Sequence, residues 1–221
     1  MQSLVKTKVV KSAAVAALVG ALACYPRVAQ WPRPAYPIWY LEAVLVLGGF
    51  VLWAFVFAWH TKYSHRPVFT FPSELKSWAV VSATGILGAV LLHQLVDPVF
   101  RAETPGDYPV SLAEWSGMTL FTLAFNQLFL VFAPFAWALR LCQRMWAAIL
   151  FTVLFGMFVA VLKIRQSPEP VTNSLLCLIL IVRCAVSFQS VWFYSRHGIV
   201  LTWWWGFLLQ TRHLFDLAND S

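Results

Sequence analysis

The chain has 221 residues, of which 60% are apolar and 11% are charged, and it contains 12 Trp and 18 Phe. A water-soluble domain carries about 25% charged residues, so the composition excludes a soluble globular enzyme and predicts an all-α, polytopic protein in a lipid bilayer. The formal net charge of +7 is no indication of a nucleic-acid partner, because Lys and Arg in short loops set the orientation of a membrane protein.

The first apolar segment, residues 1–25, has features of a transmembrane helix and of a signal peptide. Lys6, Lys8 and Lys11 precede a run of small residues from Ala13 to Ala23, which is the order found in signal peptides. We predict an uncleaved first transmembrane helix. The alternative, a cleaved signal, would leave six spanning helices instead of seven.

Seven segments are apolar enough to cross a membrane. A spanning helix needs about 20 apolar residues, because each adds 1.5 Å across a hydrocarbon core of roughly 30 Å. The link from Arg140 to Arg144 is so short that the fourth and fifth helices are predicted to form an antiparallel hairpin. Residues 1–221 are therefore expected to form a single membrane-embedded domain. The predicted spans are 9–25, 38–59, 77–99, 115–139, 145–163, 175–195 and 199–217.

The distribution of Lys and Arg over alternate loops predicts the orientation. The N-terminus and loops two, four and six hold Lys6, Lys8, Lys11, Lys62, Arg66, Lys76, Arg140, Arg144 and Arg196. The other side holds Arg27, Arg33, Arg101, Lys163, Arg165 and Arg212. Because the cytoplasmic side is the richer in Lys and Arg, we expect a bacterial inner (cytoplasmic) membrane with a cytoplasmic N-terminus.

Ionisable and amide side chains within the predicted helices are the candidates for function, because each is costly in hydrocarbon without a partner. Hydrogen bonding between helices is the structural alternative for every one of them. They are Glu42, His93, Gln94, Asp97, Asn126, Gln127, Arg183, Gln189, Gln210, Arg212, His213 and Asp216.

Two of these positions carry specific expectations. His93 and Asp97 are four residues apart, so an α-helix places them on one face, where a carboxylate could orient an imidazole. Asp97 also precedes Pro98 at the helix end, which favours a plain interfacial anchor. Arg183 lies in an otherwise apolar helix, and we expect it to pair with Glu42 or Asp97, with a lipid phosphate, or with a partner chain.

No cofactor or metal is predicted. A retinal Schiff base needs a lysine in the last helix, and 199–217 contains none. A bis-histidine haem needs histidines at matched depth, and only His93 and His213 offer themselves, since His60 is assigned to a loop. A bound lipid, quinone or pigment is compatible with the aromatic content.

Three segments in the second half of the chain follow the spacing of a known set of motifs. They are 126–132 (NQLFLVF), 146–159 (WAAILFTVLFGMFV) and 194–213 (YSRHGIVLTWWWGFLLQTRH). On these segments, Ala124 to Leu217 resembles the CPBP family, the CAAX-processing and bacteriocin-processing intramembrane peptidases also called the Abi family. The resemblance implies a CPBP-like helical core over 115–217.

The departures from the family pattern define the expected function. The family carries a Glu-Glu-x-x-x-Arg motif, then FGxxH, then HxxxN, and its glutamates are thought to activate a water for attack on a peptide. Here amides replace both glutamates, and valines replace the arginine and the FGxxH histidine. The last position is Gln210 or His213, depending on the register. The degenerate positions are Asn126, Gln127, Val131, Phe155, Val159, Gln210 and His213.

The replaced residues predict a pseudoprotease. A carboxamide has no group that titrates near neutral pH, so Asn126 and Gln127 cannot act as general bases. We therefore expect a non-catalytic membrane protein that serves as an accessory or binding subunit of a larger complex. Three consecutive tryptophans, Trp203, Trp204 and Trp205, point about 100° apart, so at least one is expected to meet lipid, a pigment or quinone, or another membrane subunit.

Two alternatives stay open. One is an active intramembrane peptidase with a rearranged site, which would consist of His93, Asp97, Glu114 and His213. The other is a small transporter component, which would use Glu42 and Arg183 as intramembrane charges.

Overall fold

The computed structural model describes residues 2–31, 36–165 and 172–219. Every regular element in these ranges is helical, and six helices within them are long and apolar enough to cross a membrane. The prediction of an all-α membrane bundle is confirmed, and each of the first six predicted spans falls inside one of these helices. They are α1 (Gln2–Ala29), α2 (Ile38–Ser64), α3 (Leu75–Glu103), α4 (Leu112–Cys142), α5 (Met145–Arg165) and α6 (Asn173–His197).

The seventh predicted span is helical but divided into α7 (Ile199–Gln210) and α8 (Arg212–Asn219). The 12 residues of α7 rise about 18 Å, which is less than the roughly 30 Å of a hydrocarbon core. Side chains donate hydrogen bonds to the last carbonyl oxygens of α7, and these bonds end the helix. The donors are Thr211 Oγ1 to Leu208 O at 2.6 Å, Arg212 Nη1 to Leu209 O at 2.8 Å, and Trp115 Nε1 to Gln210 O at 2.9 Å.

Helix α1 packs along α2 and the first turns of α4. Its buried stripe is formed by Ala13, Ala17, Ala21, Cys24 and Val28. Small residues at four-residue spacing let helix backbones approach closely, as is common between membrane helices. The approach is tightest at Gly117 of α4, where a Cβ would lie 3.1 Å from the backbone nitrogen of Arg27. Residues 2–25 of the signal-like segment are thus part of a helix packed into the bundle.

Two tight turns set the order of the remaining helices. Gln143 adopts φ 51° between α4 and α5, and the two helices pack against each other, which confirms the predicted antiparallel hairpin. Gly198 adopts φ 79° between α6 and α7, in the region that favours glycine. This turn directs α7 back along α3 and α6.

A dry aromatic cluster holds α2, α4, α6 and α7 together at the end of the bundle near Gly198. We define it by Trp53, Phe132, Phe135, Tyr194 and Trp203. The ring centroids of Phe132 and Tyr194 are 4.6 Å apart, and those of Trp53 and Trp203 are 6.5 Å apart. Large rings packed at such distances fix the helix positions. Towards the other end the helices diverge, and a cavity lies between them.

Candidate functional site

A cavity of about 760 Å³ lies between α3, α4, α5, α6 and α7. Its volume is within the range of roughly 300–1,000 Å³ that is typical of small-molecule sites. The wall begins at Thr104 and Gly106 in the loop after α3 and reaches Gln127 and Arg183 within the spanning helices. The cavity therefore extends from one end of the bundle into its membrane-spanning part.

Short π-helical segments border the cavity on two helices. They are Leu92–Val96 in α3 and Thr122–Asn126 and Leu128–Phe132 in α4, and each contributes residues to the wall. Such segments widen a helix by one residue per turn and occur frequently at functional sites. The widened turn in α3 also explains why His93 and Asp97 do not pair, because the regular i, i+4 register is lost between them.

Five of the seven degenerate motif positions line this one cavity: Asn126, Gln127, Val131, Val159 and Gln210. The other two lie outside its wall. The ring of Phe155 contacts Phe129 at 5.6 Å, and the ring of His213 contacts Tyr108 at 5.3 Å. Of the two registers left open for the last motif, the one through Gln210 places a side chain at the cavity.

Two polar groups of the wall are buried without a hydrogen-bond partner. Gln127 is 7% exposed and Trp205 is 4% exposed, and neither Gln127 Oε1 nor Trp205 Nε1 has a partner. The interhelical hydrogen bond expected as the structural alternative is missing for Asn126 as well, among the described residues. Leaving a buried polar group unpaired costs about 1–3 kcal/mol, so these groups are polar atoms that the fold of the described residues leaves unsatisfied beside the cavity.

The half-buried side chain of Arg183 also lines the cavity. No hydrogen bond or ion pair joins it to another residue in the part of the chain that the structure describes. Glu42 lies on α2, outside the cavity wall, and Asp97 pairs with Arg212, so the predicted pairing of Arg183 with either carboxylate is wrong. A charge near the centre of a membrane helix costs about 2.5–3.5 kcal/mol, which makes an unpaired arginine here a functional candidate.

The reason for the wrong pairing is the break before α8. It brings Arg212 onto Asp97, with Nε 3.1 Å from Oδ2, while the Tyr108 hydroxyl donates to Oδ1 at 3.0 Å. Asp97 is only 3% exposed, so the prediction of a plain interfacial anchor is wrong. Asp97 is a buried carboxylate held by two partners.

A second, half-buried carboxylate completes what we call the ion-pair cluster: Asp97, Arg101, Tyr108, Arg212 and Asp216. Asp216 of α8 forms a salt bridge with Arg101 of α3. His93 Nδ1 lies 3.7 Å from Asp216 Oδ1, at the outer limit of an ion-pair contact. The cluster fastens α8 to the end of α3, and each of its carboxylates has an arginine as a partner.

The rearranged peptidase site is only partly assembled. His93, Asp97 and His213 lie at the ion-pair cluster, but Glu114 lies apart from them at the start of α4. Glu114 Oε1 accepts from Arg27 at 3.3 Å, and its Oε2 accepts from the Val110 backbone at 3.0 Å.

Burial controls the protonation of two groups at the ion-pair cluster. Burial, reinforced by the nearby charges of Arg212 and Arg101, lowers the pKa of His213 to about 3. Burial and the adjacent Asp97 raise the pKa of Tyr108. His213 is therefore a neutral imidazole and Tyr108 a hydroxyl donor across the physiological pH range.

The three consecutive tryptophans pack against rings and side chains of the chain itself. Trp203 belongs to the aromatic cluster, Trp204 Nε1 donates to Ser82 Oγ at 2.9 Å, and the ring of Trp205 lies 6.0 Å from that of Phe193. Trp205 is buried and the other two are half-buried. Helices surround α7 on several sides, so the number of tryptophans is no argument for a pigment or a partner.

Sequence reasoning missed one buried polar pair. His60 is 1% exposed and lies in a π-helical segment of α2, Val56–His60, although the sequence analysis assigned it to a loop. Its ring centroid is 4.7 Å from that of Tyr194, and His60 Nδ1 and the Tyr194 hydroxyl lack partners. The helix continues past the aromatic residues to Ser64, and no residue type in that stretch signals the extension.

The arrangement can bind a molecule but offers little acid–base chemistry. Within the described ranges, no group of three or more His, Cys, Asp or Glu could hold a metal ion. The carboxylates in the cavity wall are Asp97, which Arg212 neutralises, and Glu103, which is exposed at the end of α3. The wall otherwise combines apolar side chains with amides, hydroxyls and cations.

Comparison of the chain with protein-family models, with curated proteins and with solved structures finds no match in any of the three. The resemblance to the CPBP family therefore stays a prediction that depends on the motif positions alone. The class that the fold itself defines is a helical integral membrane protein with a cavity between its helices.

Proposed function

We propose that this chain is a non-catalytic, membrane-embedded binding protein whose ligand occupies the cavity between α3, α4, α5, α6 and α7. The observation that carries the proposal is the combination of ligand-sized volume with a cation of the wall, Arg183, that has no partner among the described residues. A largely apolar pocket with a few convergent polar groups is the usual form of a small-molecule site.

The wall also supports a binding role over a catalytic one. The amides of Asn126 and Gln127 line the cavity where the CPBP resemblance expects glutamates, and an amide takes no proton near neutral pH. The buried carboxylate Asp97 is bound to Arg212. In this proposal the cavity of a pseudo-peptidase scaffold keeps its shape and serves for binding.

Purification with native lipids tests the proposal. We expect native mass spectrometry of the wild-type chain in detergent-free lipid discs to show a retained small molecule. Val182→Phe places a ring on a residue of the cavity wall and should abolish retention. The neighbouring variant Ile181→Phe, on a residue that is 67% exposed, should leave retention unchanged. Equal retention by all three proteins would count against a cavity ligand.

The role of accessory subunit in a larger membrane complex is the broader part of the proposal. It is supported by the lack of a free acid–base pair in the cavity wall, which leaves binding as the task of the scaffold. Affinity purification from the native membrane should recover a stoichiometric membrane-protein partner. A chain that purifies only as a lone monomer, with the cavity ligand retained, would restrict the function to ligand binding.

We also infer an inner-membrane location with a cytoplasmic N-terminus, because the side that holds Lys8 and Lys11 is the richer in Lys and Arg. A fluorescent reporter that folds only in the cytoplasm, fused to the N-terminus, should be bright. A dark fusion with normal expression would show that the N-terminus lies outside the cytoplasm.

A further inference from the structure

The charges of the cavity wall identify the class of ligand, and this step rests on the proposed function. Three basic side chains, Lys163, Arg183 and Arg212, and two acidic ones, Asp97 and Glu103, line the wall. Arg212 and Asp97 neutralise each other. Glu103 is the last residue of α3 and Lys163 lies in the last turn of α5, so both belong to the mouth. Arg183 is the charge within the cavity.

The depth of Arg183 distinguishes it from a snorkelling interfacial residue. It follows Asn173, the first residue of α6, by ten positions, which is about 15 Å along the axis and roughly half of the hydrocarbon core. None of the described carboxylates is bonded to it. The positive charge of Arg183 therefore has no counterion within the part of the chain that the structure describes.

The rest of the α6 face is shaped for an apolar chain. Wall residues recur on α6 at the spacing of one helix face. They are Leu175, Ile179, Val182, Arg183, Val186, Ser187 and Ser190. The single cation thus follows an aliphatic segment of this face, Leu175, Ile179 and Val182. A wholly polar anion would leave this segment without an apolar contact, whereas an amphiphile matches both the segment and the cation.

The guanidinium of Arg183 suits an acid group. It presents five N–H donors in a planar fork that matches carboxylate and phosphate oxygens.

We infer that the cavity binds an amphiphile with one apolar chain and one anionic group, a carboxylate or a phosphate monoester, and that Arg183 pairs with the anion. The apolar chain lies along the aliphatic face of α6. The ion pair supplies the partner that the chain itself does not give to Arg183.

Photoreactive probes with one common chain and different head groups test this inference. A diazirine fatty acid, the corresponding alkyl phosphate and the corresponding fatty alcohol are presented to the protein in phosphatidylcholine discs. We expect at least one of the two acids to label peptides of the cavity wall at least ten-fold more than the alcohol. The stronger of the two acids then distinguishes a fatty-acid source from a phosphate-ester source.

Variants test whether the preference for acid probes depends on Arg183. Arg183→Met should reduce acid labelling to the level of the alcohol. Arg140→Met makes the same chemical change at an exposed arginine whose guanidinium lies over Trp59, away from the cavity, and should change nothing. If Arg183→Met fails to fold, Arg183→Lys keeps the charge without the fork and should retain a preference for acids.

The outcomes separate this inference from the proposed function. Equal labelling of the wall by acids and alcohol in the wild type, abolished by Val182→Phe, would overturn the anionic ligand and keep the binding cavity. Labelling outside the wall that Val182→Phe does not change would overturn both.

Discussion

The ion-pair cluster and the cavity wall treat buried charge in opposite ways. In the ion-pair cluster, Asp97 is bonded to Arg212 and Tyr108, and Asp216 to Arg101. A short distance away, Arg183 and the amide of Gln127 lack partners among the described residues. Satisfied charges hold α8 in place, whereas the unsatisfied groups border the cavity for which we propose a ligand. Residue type alone does not make this distinction, because both regions contain an arginine.

The largest effect is expected where a satisfied pair is broken. Arg212→Met leaves the 3%-exposed carboxylate of Asp97 without its cation, which costs about 3–5 kcal/mol. For a chain of this size we expect the melting temperature in detergent to fall by roughly 10 °C. Arg140→Met, at an exposed site, is the control and should change it by only a degree or two. If the melting temperature falls no further than in this control, the ion-pair cluster does not stabilise the fold.

The opposite sign is expected at Arg183. Arg183→Met removes an uncompensated buried charge and keeps an apolar stem of similar length, so the ligand-free protein should gain about 2–3 kcal/mol. Melting after exhaustive delipidation measures this gain. If Arg183→Met instead loses as much stability as Arg212→Met, Arg183 is a structural residue. The two regions would then not differ in how they treat buried charge.

Much of the fold was predictable because membrane helices are specified by local composition. The six spans follow from apolar length, and the α4–α5 hairpin follows from the short link Arg140 to Arg144. The break at Thr211 was not predictable, since it depends on donors from Trp115 and Arg212 to the last carbonyls of α7. One of these donors lies almost a hundred residues earlier in the chain.

The candidate site was predictable as a set of residues but not as an arrangement. The motif spacing selected Asn126, Gln127, Val131, Val159 and Gln210, which line one cavity. The pairing of Asp97 and Arg183 was wrong, because partner choice depends on where α8 turns back. The π-helical turns were also invisible in the sequence, and they change which residues share a face.

A pH titration sharpens the comparison at His213, a buried neutral group within the satisfied region. Its pKa in the folded state is about 3 and near 6.5 in the unfolded chain. Between these values the unfolded state binds more protons, so stability falls as the pH drops below 6.5. The slope is at most about 1.4 kcal/mol per pH unit, which gives up to about 2 kcal/mol between pH 6.5 and 5.

The difference between wild type and His213→Gln isolates this contribution from the carboxylates, which are present in both proteins. The melting temperatures of the two proteins should diverge as the pH falls from 6.5 to 5 and should run parallel above pH 7. Parallel curves across the whole range would mean that His213 is not kept neutral by the fold.

The smallest effect is expected at Arg27–Glu114, an ion pair in which both side chains are at least a fifth exposed and which joins α1 to the start of α4 at 3.3 Å. Its side chains are 20% and 25% exposed, so water already screens the two charges, and an exposed pair contributes about 0–1 kcal/mol. Glu114→Gln keeps an acceptor for the Val110 N–H and should lower the melting temperature by no more than about 4 °C.

The same variant tests the rearranged peptidase, in which Glu114 is catalytic. If the wild type cleaves a peptide and Glu114→Gln does not, binding alone is not the function. If Glu114→Gln instead costs as much as Arg212→Met, burial does not set the strength of these pairs, and the contrast between satisfied and unsatisfied charge needs another cause.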